Sequence, residues 1–182
     1  MVTWIALLRG VNVGGKNRLP MKDLVSSLEA LGFSDVRTYL QSGNVVFLGP
    51  DDAPALLSSK IGAAVDARFG FLPQVVVIRA DVFTSFASAN PFPEATNERD
   101  GKTLHLFFLS EPPHTIDGER LDAVKRPTER WRVIGPVFYL HTPDGFGNSR
   151  LATQAERILG VAATARNWRT VGALVGMAGG SA

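Results

Sequence analysis

The sequence predicts an α+β protein made of two tandem ferredoxin-like units of βαββα type, each with an antiparallel sheet, and a helix at the C-terminal end. Three observations predict it. Short β-prone runs alternate with amphipathic helical stretches. Two β-prone runs near residue 40 are joined by a short polar connection. The same order of elements returns in the second half of the chain.

The elements follow in turn. Trp4–Leu8 (WIALL) is a continuous apolar run and reads as a buried strand. A glycine-rich polar loop, RGVNVGGKNR, follows it. Pro20 opens a helix in which Met21, Leu24, Val25, Leu28 and Leu31 recur at helical spacing, and Gly32 closes it. Val36–Leu40 and Val45–Leu48 flank Gln41-Ser42-Gly43-Asn44 and read as a hairpin. Asp51, Asp52 and Pro54 start a second helix with Leu56, Leu57, Ile61 and Val65 on its apolar face and Gly70 past its end. Gln74–Ile78 is a further strand, which completes β-α-β-β-α-β. Asp81 caps a short helix that Asn90-Pro91-Phe92-Pro93 ends.

The polar stretch Asn97–Lys102 marks the expected boundary, giving halves 1–96 and 97–182 that form one compact protein. The second half offers a strand at Leu104–Leu109, a short helix within Ile116–Val124, and strands at Trp131–Ile134 and Val137–His141. A helix capped by Asn148 or Ser149 follows, ended by Gly160. In place of a last strand the pattern predicts a helix over Ala165–Ala178, N-capped by Thr164, with Gly179–Ala182 as a frayed tail.

Composition narrows function by exclusion. Hydrophobic residues are 45% and charged residues 20% of 182, enough for a core without staples. Cysteine is absent, which removes disulfides, thiolate metal sites and a cysteine nucleophile. Three histidines without metal-ligand spacing argue against a metal centre, and nothing points to a cofactor. The first residues carry no cationic leader before their apolar run, so together with the missing cysteines the expectation is a cytoplasmic protein with no membrane partner. Net charge is +2, yet both ends are locally basic, which is either ordinary scatter or the footprint of an anionic partner.

Candidate ligand-binding residues cluster in the first loop. Gly14 and Gly15 admit close backbone approach, Arg9 and Lys16 bring charge, and Asn12 and Asn17 bring directional hydrogen bonds. A strand-to-helix loop of this kind suits phosphate or carboxylate, and the alternative is a long turn whose glycines serve only its shape. The spacing Gly10-x-x-x-x-Gly15-Lys16 imitates a Walker A loop. That reading fails because Asn17 stands where a magnesium-binding hydroxyl belongs and the helix starts only near Pro20. Gln41, Ser42 and Asn44 form a second polar group, read either as turn chemistry or as contacts beside the first loop. Arg166 and Asn167, on the first turns of the expected last helix, are suited to phosphates or base edges, while Trp168 reads as a core anchor. No catalytic residue is assigned; His141 lacks a placed nucleophile.

The stretches Ala6–Asn17 (ALLRGVNVGGKN), Leu31–Phe47, Asn90–Pro93 (NPFP), Tyr139–Gly145 (YLHTPDG) and Thr164–Trp168 (TARNW) resemble a bacterial family, the domain-of-unknown-function family sixteen ninety-seven. The resemblance runs nearly the whole length and implies two ferredoxin-like halves, but no activity or cofactor. It departs at Arg150, where the family often has lysine. The expected function is a binding module for a phosphate-bearing small molecule or nucleic acid. The alternatives are an enzyme on a small anionic substrate, or a scaffold or oligomerisation protein.

Overall fold

The computed structural model describes residues 1–179, with the side chains of Glu98 and Asp100 outside the description. The expected tail, beyond Gly179, lies outside the described residues. The chain divides into two compact units, Met1–Ser85 with Gly172–Ala182, and Phe86–Val171.

The first unit runs β1 (Val2–Arg9), α1 (Met21–Ala30), β2 (Ser34–Tyr39), β3 (Asn44–Gly49), α2 (Pro54–Phe69) and β4 (Gln74–Arg79). Its sheet has the order β2-β3-β1-β4 and is antiparallel throughout. The WIALL run lacks alternation because β1 is a central strand whose residues Trp4–Leu8 are all buried. Trp4, Ala6, Leu8, Val45 and Phe47 form one sheet face, and Leu24, Leu28, Leu57, Ile61 and Val65 of the helices pack on it. Each of the valine, leucine, isoleucine and phenylalanine side chains contributes about 1.5–3 kcal/mol on leaving water. Phe33 stacks on Phe47 at 4.6 Å, and the Trp4 indole N–H donates to the Pro50 carbonyl at 3.0 Å. Pro20 is the cap residue of α1, with extended ψ, and α2 ends on Gly70 at φ +74°.

The second unit runs β5 (Leu104–Leu109), α4 (Gly118–Val124), β6 (Arg130–Ile134), β7 (Val137–His141), α5 (Arg150–Leu159) and β8 (Ala163–Asn167). Its sheet order, β6-β7-β5-β8, repeats the topology of the first. Asn97–Lys102 lies within this unit as part of a 3-10 turn. Phe107, Leu109, Phe138 and Leu140 of the sheet meet Leu121 of α4 and Leu151, Ile158 and Leu159 of α5. On the other face the Tyr139 hydroxyl donates to the Phe86 carbonyl at 2.7 Å, and burial pushes its pKa up to about 12. The helices α3 (Ala80–Ser88) and α6 (Trp168–Met177) each contain a point where the two units divide.

The last strand corrects the sequence reading. Ala163–Asn167 is β8, not the start of a helix, and α6 begins only at Trp168. Without it, one side of the central strand β5 would have an unpaired row of main-chain groups. Pairing His105↔Asn167 through Leu109↔Ala163 satisfies that row and overrides the helical preference of the two alanines. Thr164 is therefore not a cap. Asn167 takes that role, its Oδ1 accepting the Thr170 N–H at 2.9 Å.

Candidate functional site

The segment after β1 is a miniature hairpin. The Asn12 N–H donates to the Asn17 carbonyl at 3.0 Å and the Lys16 N–H to the Val13 carbonyl at 3.1 Å, closing a two-residue turn at Gly14 and Gly15. Those glycines have φ of +59° and +75°, positive at both positions as a type I′ turn requires. Asn12 and Asn17 also adopt positive φ, which asparagine tolerates better than other side chains.

The hairpin is pinned from within. Both N–H groups of the Asn12 amide are used, on the Leu19 and Gln41 carbonyls at 2.8 Å each, and its Oδ1 accepts the Leu19 N–H at 2.8 Å. The Asn17 amide donates to the Gly10 carbonyl at 2.9 Å. Through Asn12 the hairpin meets the β2–β3 connection. There Gly43 is a close-approach position, since a Cβ on it would stand 2.7 Å from Val11 Cγ2 and 2.8 Å from Leu8 Cβ. Asn44 is buried, its amide donating to the Tyr39 carbonyl and Ser42 Oγ, both at 2.9 Å.

Asn12, Asn17, Ser42 and Asn44 thus serve the shape of the loops, and the glycines serve their turns. The charges are presented differently. Arg9 donates to Gln74 Oε1, its cross-strand neighbour, at 3.2 Å. Lys16 and Arg18 are exposed and have no side-chain partner among the described residues. Gln41 is exposed in the β2–β3 connection, where its carbonyl, rather than its side chain, is held by the Asn12 amide.

Arg166 and Asn167 lie in the second unit. Arg166 donates to Thr164 Oγ1 at 2.9 Å and to the Ala165 carbonyl at 2.8 Å, and burial pushes its pKa down to about 10. Asn167 is spent on capping α6. A Cβ on Gly101 would stand 3.2 Å from Trp168 Cβ and 2.9 Å from the Arg169 nitrogen, so the 3-10 turn packs closely on the start of α6.

A cluster that residue-by-residue reading of the sequence missed is built around Arg130, at the start of edge strand β6. The register Arg130↔His141 brings its guanidinium to 3.0 Å from His141 Nδ1. Arg130 also pairs with Glu94 and lies over the Phe92 ring, 4.9 Å from its centroid. Glu94's own main-chain N–H, then Arg130, hold its carboxyl below the ordinary carboxylate value. Phe92 and Glu94 come from NPFP and the residue after it, and His141 from YLHTPDG. The two motifs were a signal, but only the sheet register makes Arg130 their meeting point. Among the described residues no group of three or more His, Asp or Glu side chains is arranged to hold a metal, and no helix is long and apolar enough to cross a membrane.

Two four-stranded antiparallel sheets, each backed by helices, define a mixed α+β protein of two topologically matching units. The chain belongs to the family described as Protein of unknown function (DUF1697), whose model matches residues 1–139. Among solved structures, conserved bacterial protein SP0830 from Streptococcus pneumoniae is similar, with a TM-score of 0.67 at 21% identity over 97% of this chain and 98% of that one. At that identity the likeness is one of fold, and it extends past residue 139 through the second unit. No curated protein matches the chain.

Proposed function

We propose that this protein is a binding module for a phosphate-bearing partner, nucleic acid first among them, contacted through the Arg9–Arg18 hairpin. Lys16 and Arg18 are the principal contacts, with Arg9 and Gln41 flanking them. In this reading each unit is a ferredoxin-like βαββαβ fold, supported by the order β2-β3-β1-β4 and its repeat.

The observation that carries the proposal is a loop of fixed shape presenting two cations, Lys16 and Arg18, with no acidic partner among the described residues. Asn12 holds the base, so little main-chain conformational entropy is lost when Lys16 and Arg18 engage a ligand. Around Gly10, Gly14 and Gly15 a Cβ would meet nothing within 4 Å. The tip is therefore open, which suits an extended polyanion better than a small molecule that needs enclosure.

Fluorescence anisotropy with labelled single-stranded RNA and DNA, repeated across salt concentrations, tests this. Binding falls linearly in log–log form with salt, and a Lys16→Ala/Arg18→Ala double variant has a slope shallower by about 1.5. An unchanged slope in the double variant, or no binding by the unaltered chain at low salt, overturns the proposal.

A further inference from the structure

The motifs NPFP and YLHTPDG have no part in the hairpin, and both lead to Arg130. Beside it lies a cleft of about 400 Å³, along edge strand β6. We infer that this cleft binds a small molecule bearing an oxyanion, either a phosphate monoester or a carboxylate, through Arg130 and Arg132.

Arg130 is held ready for such a contact. Its Nη2 faces both Glu94 and His141 Nδ1, while Phe92 covers one face of the guanidinium. Its Nε–H and the two hydrogens on Nη1 have no partner among the described residues. A long, flexible side chain fixed on three sides has already lost the rotamer freedom that ligand binding would otherwise cost. Because a guanidinium can only donate, His141 Nδ1 is the acceptor of this contact.

The acids of the cleft are already engaged. Asp122 accepts the Trp131 indole N–H at 2.9 Å, and Glu129, 1% exposed, accepts the Arg126 N–H at 2.9 Å. Arg132 has no partner among the described residues and, two positions along the same strand, faces the same side as Arg130. Lys125 lies on the cleft with its Nζ 3.5 Å from the Glu129 carbonyl. Donors on Arg130 and Arg132 therefore have no internal acceptor among the described residues and remain for a ligand. The volume falls in the lower part of the range of small-molecule sites, and Phe92 and Trp131 give the walls apolar surface. Cations on an edge strand also ward off strand addition, and Arg132 alone would do that; it gives no reason to clamp Arg130 on three sides.

Titration of the ¹⁵N-labelled full chain followed by NMR tests the inference, with phenyl phosphate, inorganic phosphate and benzoate as separate probes. The expected result is a saturable shift of the Arg130 Nε–H and Trp131 Nε1–H signals. Phenyl phosphate alone moving them assigns the phosphate monoester, and benzoate alone the carboxylate. Arg130→Lys and Arg132→Gln each weaken the response about tenfold. Arg132→Gln removes an exposed side chain without a partner, so it reports even where Arg130→Lys disturbs folding. Signals unmoved at about 10 mM of every probe, or equal affinity in Arg132→Gln, overturn the inference. Shifts confined to Gly14 and Gly15 would do the same, and would assign the anion to the hairpin.

Discussion

His105 couples the second unit's stability to pH. It sits in central strand β5, with its ring stacked on Phe146 at 3.7 Å and 18°. Its Nδ1 is buried and has no hydrogen-bond partner among the described residues. Burial pushes the ring's pKa down to about 4 from an ordinary 6.5. As pH falls, the unfolded chain takes up the proton first. Stability is therefore complete above about 6.5 and is lost progressively towards about 4, where the folded ring also charges. Each pH unit in that window removes about 1.4 kcal/mol, so about 2 kcal/mol is gone at pH 5. His105→Phe retains a ring for Phe146 and removes both the buried nitrogen and the titration. Urea unfolding of the two chains at pH 8, 6.5 and 5 gives the difference directly, because the other titrating groups are common to both. The variant is expected to gain about 2 kcal/mol on the parent between pH 8 and pH 5. A difference that stays constant with pH refutes the burial account of His105.

Two further outcomes test the loops. Gly43→Ala places a Cβ 2.7 Å from Val11 and 2.8 Å from Leu8 at a φ of +72°, and is expected to cost about 3 kcal/mol in urea unfolding. Gly14→Ala, with open space around it, costs only about 1 kcal/mol; equal costs would contradict the packing account. Asn12→Ala strands the Leu19 N–H and two carbonyls, and is expected to cost about 2–4 kcal/mol with loss of hydrogen-exchange protection at the Leu19 amide. Retained protection there would mean that Asn12 does not pin the hairpin.

Local chemistry determined most of the elements. The spacing of Leu24 and Leu28 before Gly32, the proline start and glycine end of α2, the β2–β3 hairpin and the Ser149 cap of α5 each follow from interactions within a few residues, so the sequence records them directly. Ala165 in Thr164-Ala-Arg-Asn pulled the other way. Its helical preference is worth only tenths of a kcal/mol, less than the pairing that an open side of β5 supplies, and that vacancy belongs to a strand distant in the chain. The candidate sites divide along the same line. The glycines, asparagines and cations of the first loop were visible as residues, but their division of labour was not. Whether an asparagine is spent on a neighbouring carbonyl or left for a ligand depends on where Leu19 and Gln41 come to rest. Arg130 was one arginine among many until antiparallel register set it against His141 and the turn after Phe92 delivered Glu94. Sequence fixes what acts over a few residues; tertiary structure alone decides which distant groups share a site, because register and packing choose partners that no local periodicity encodes.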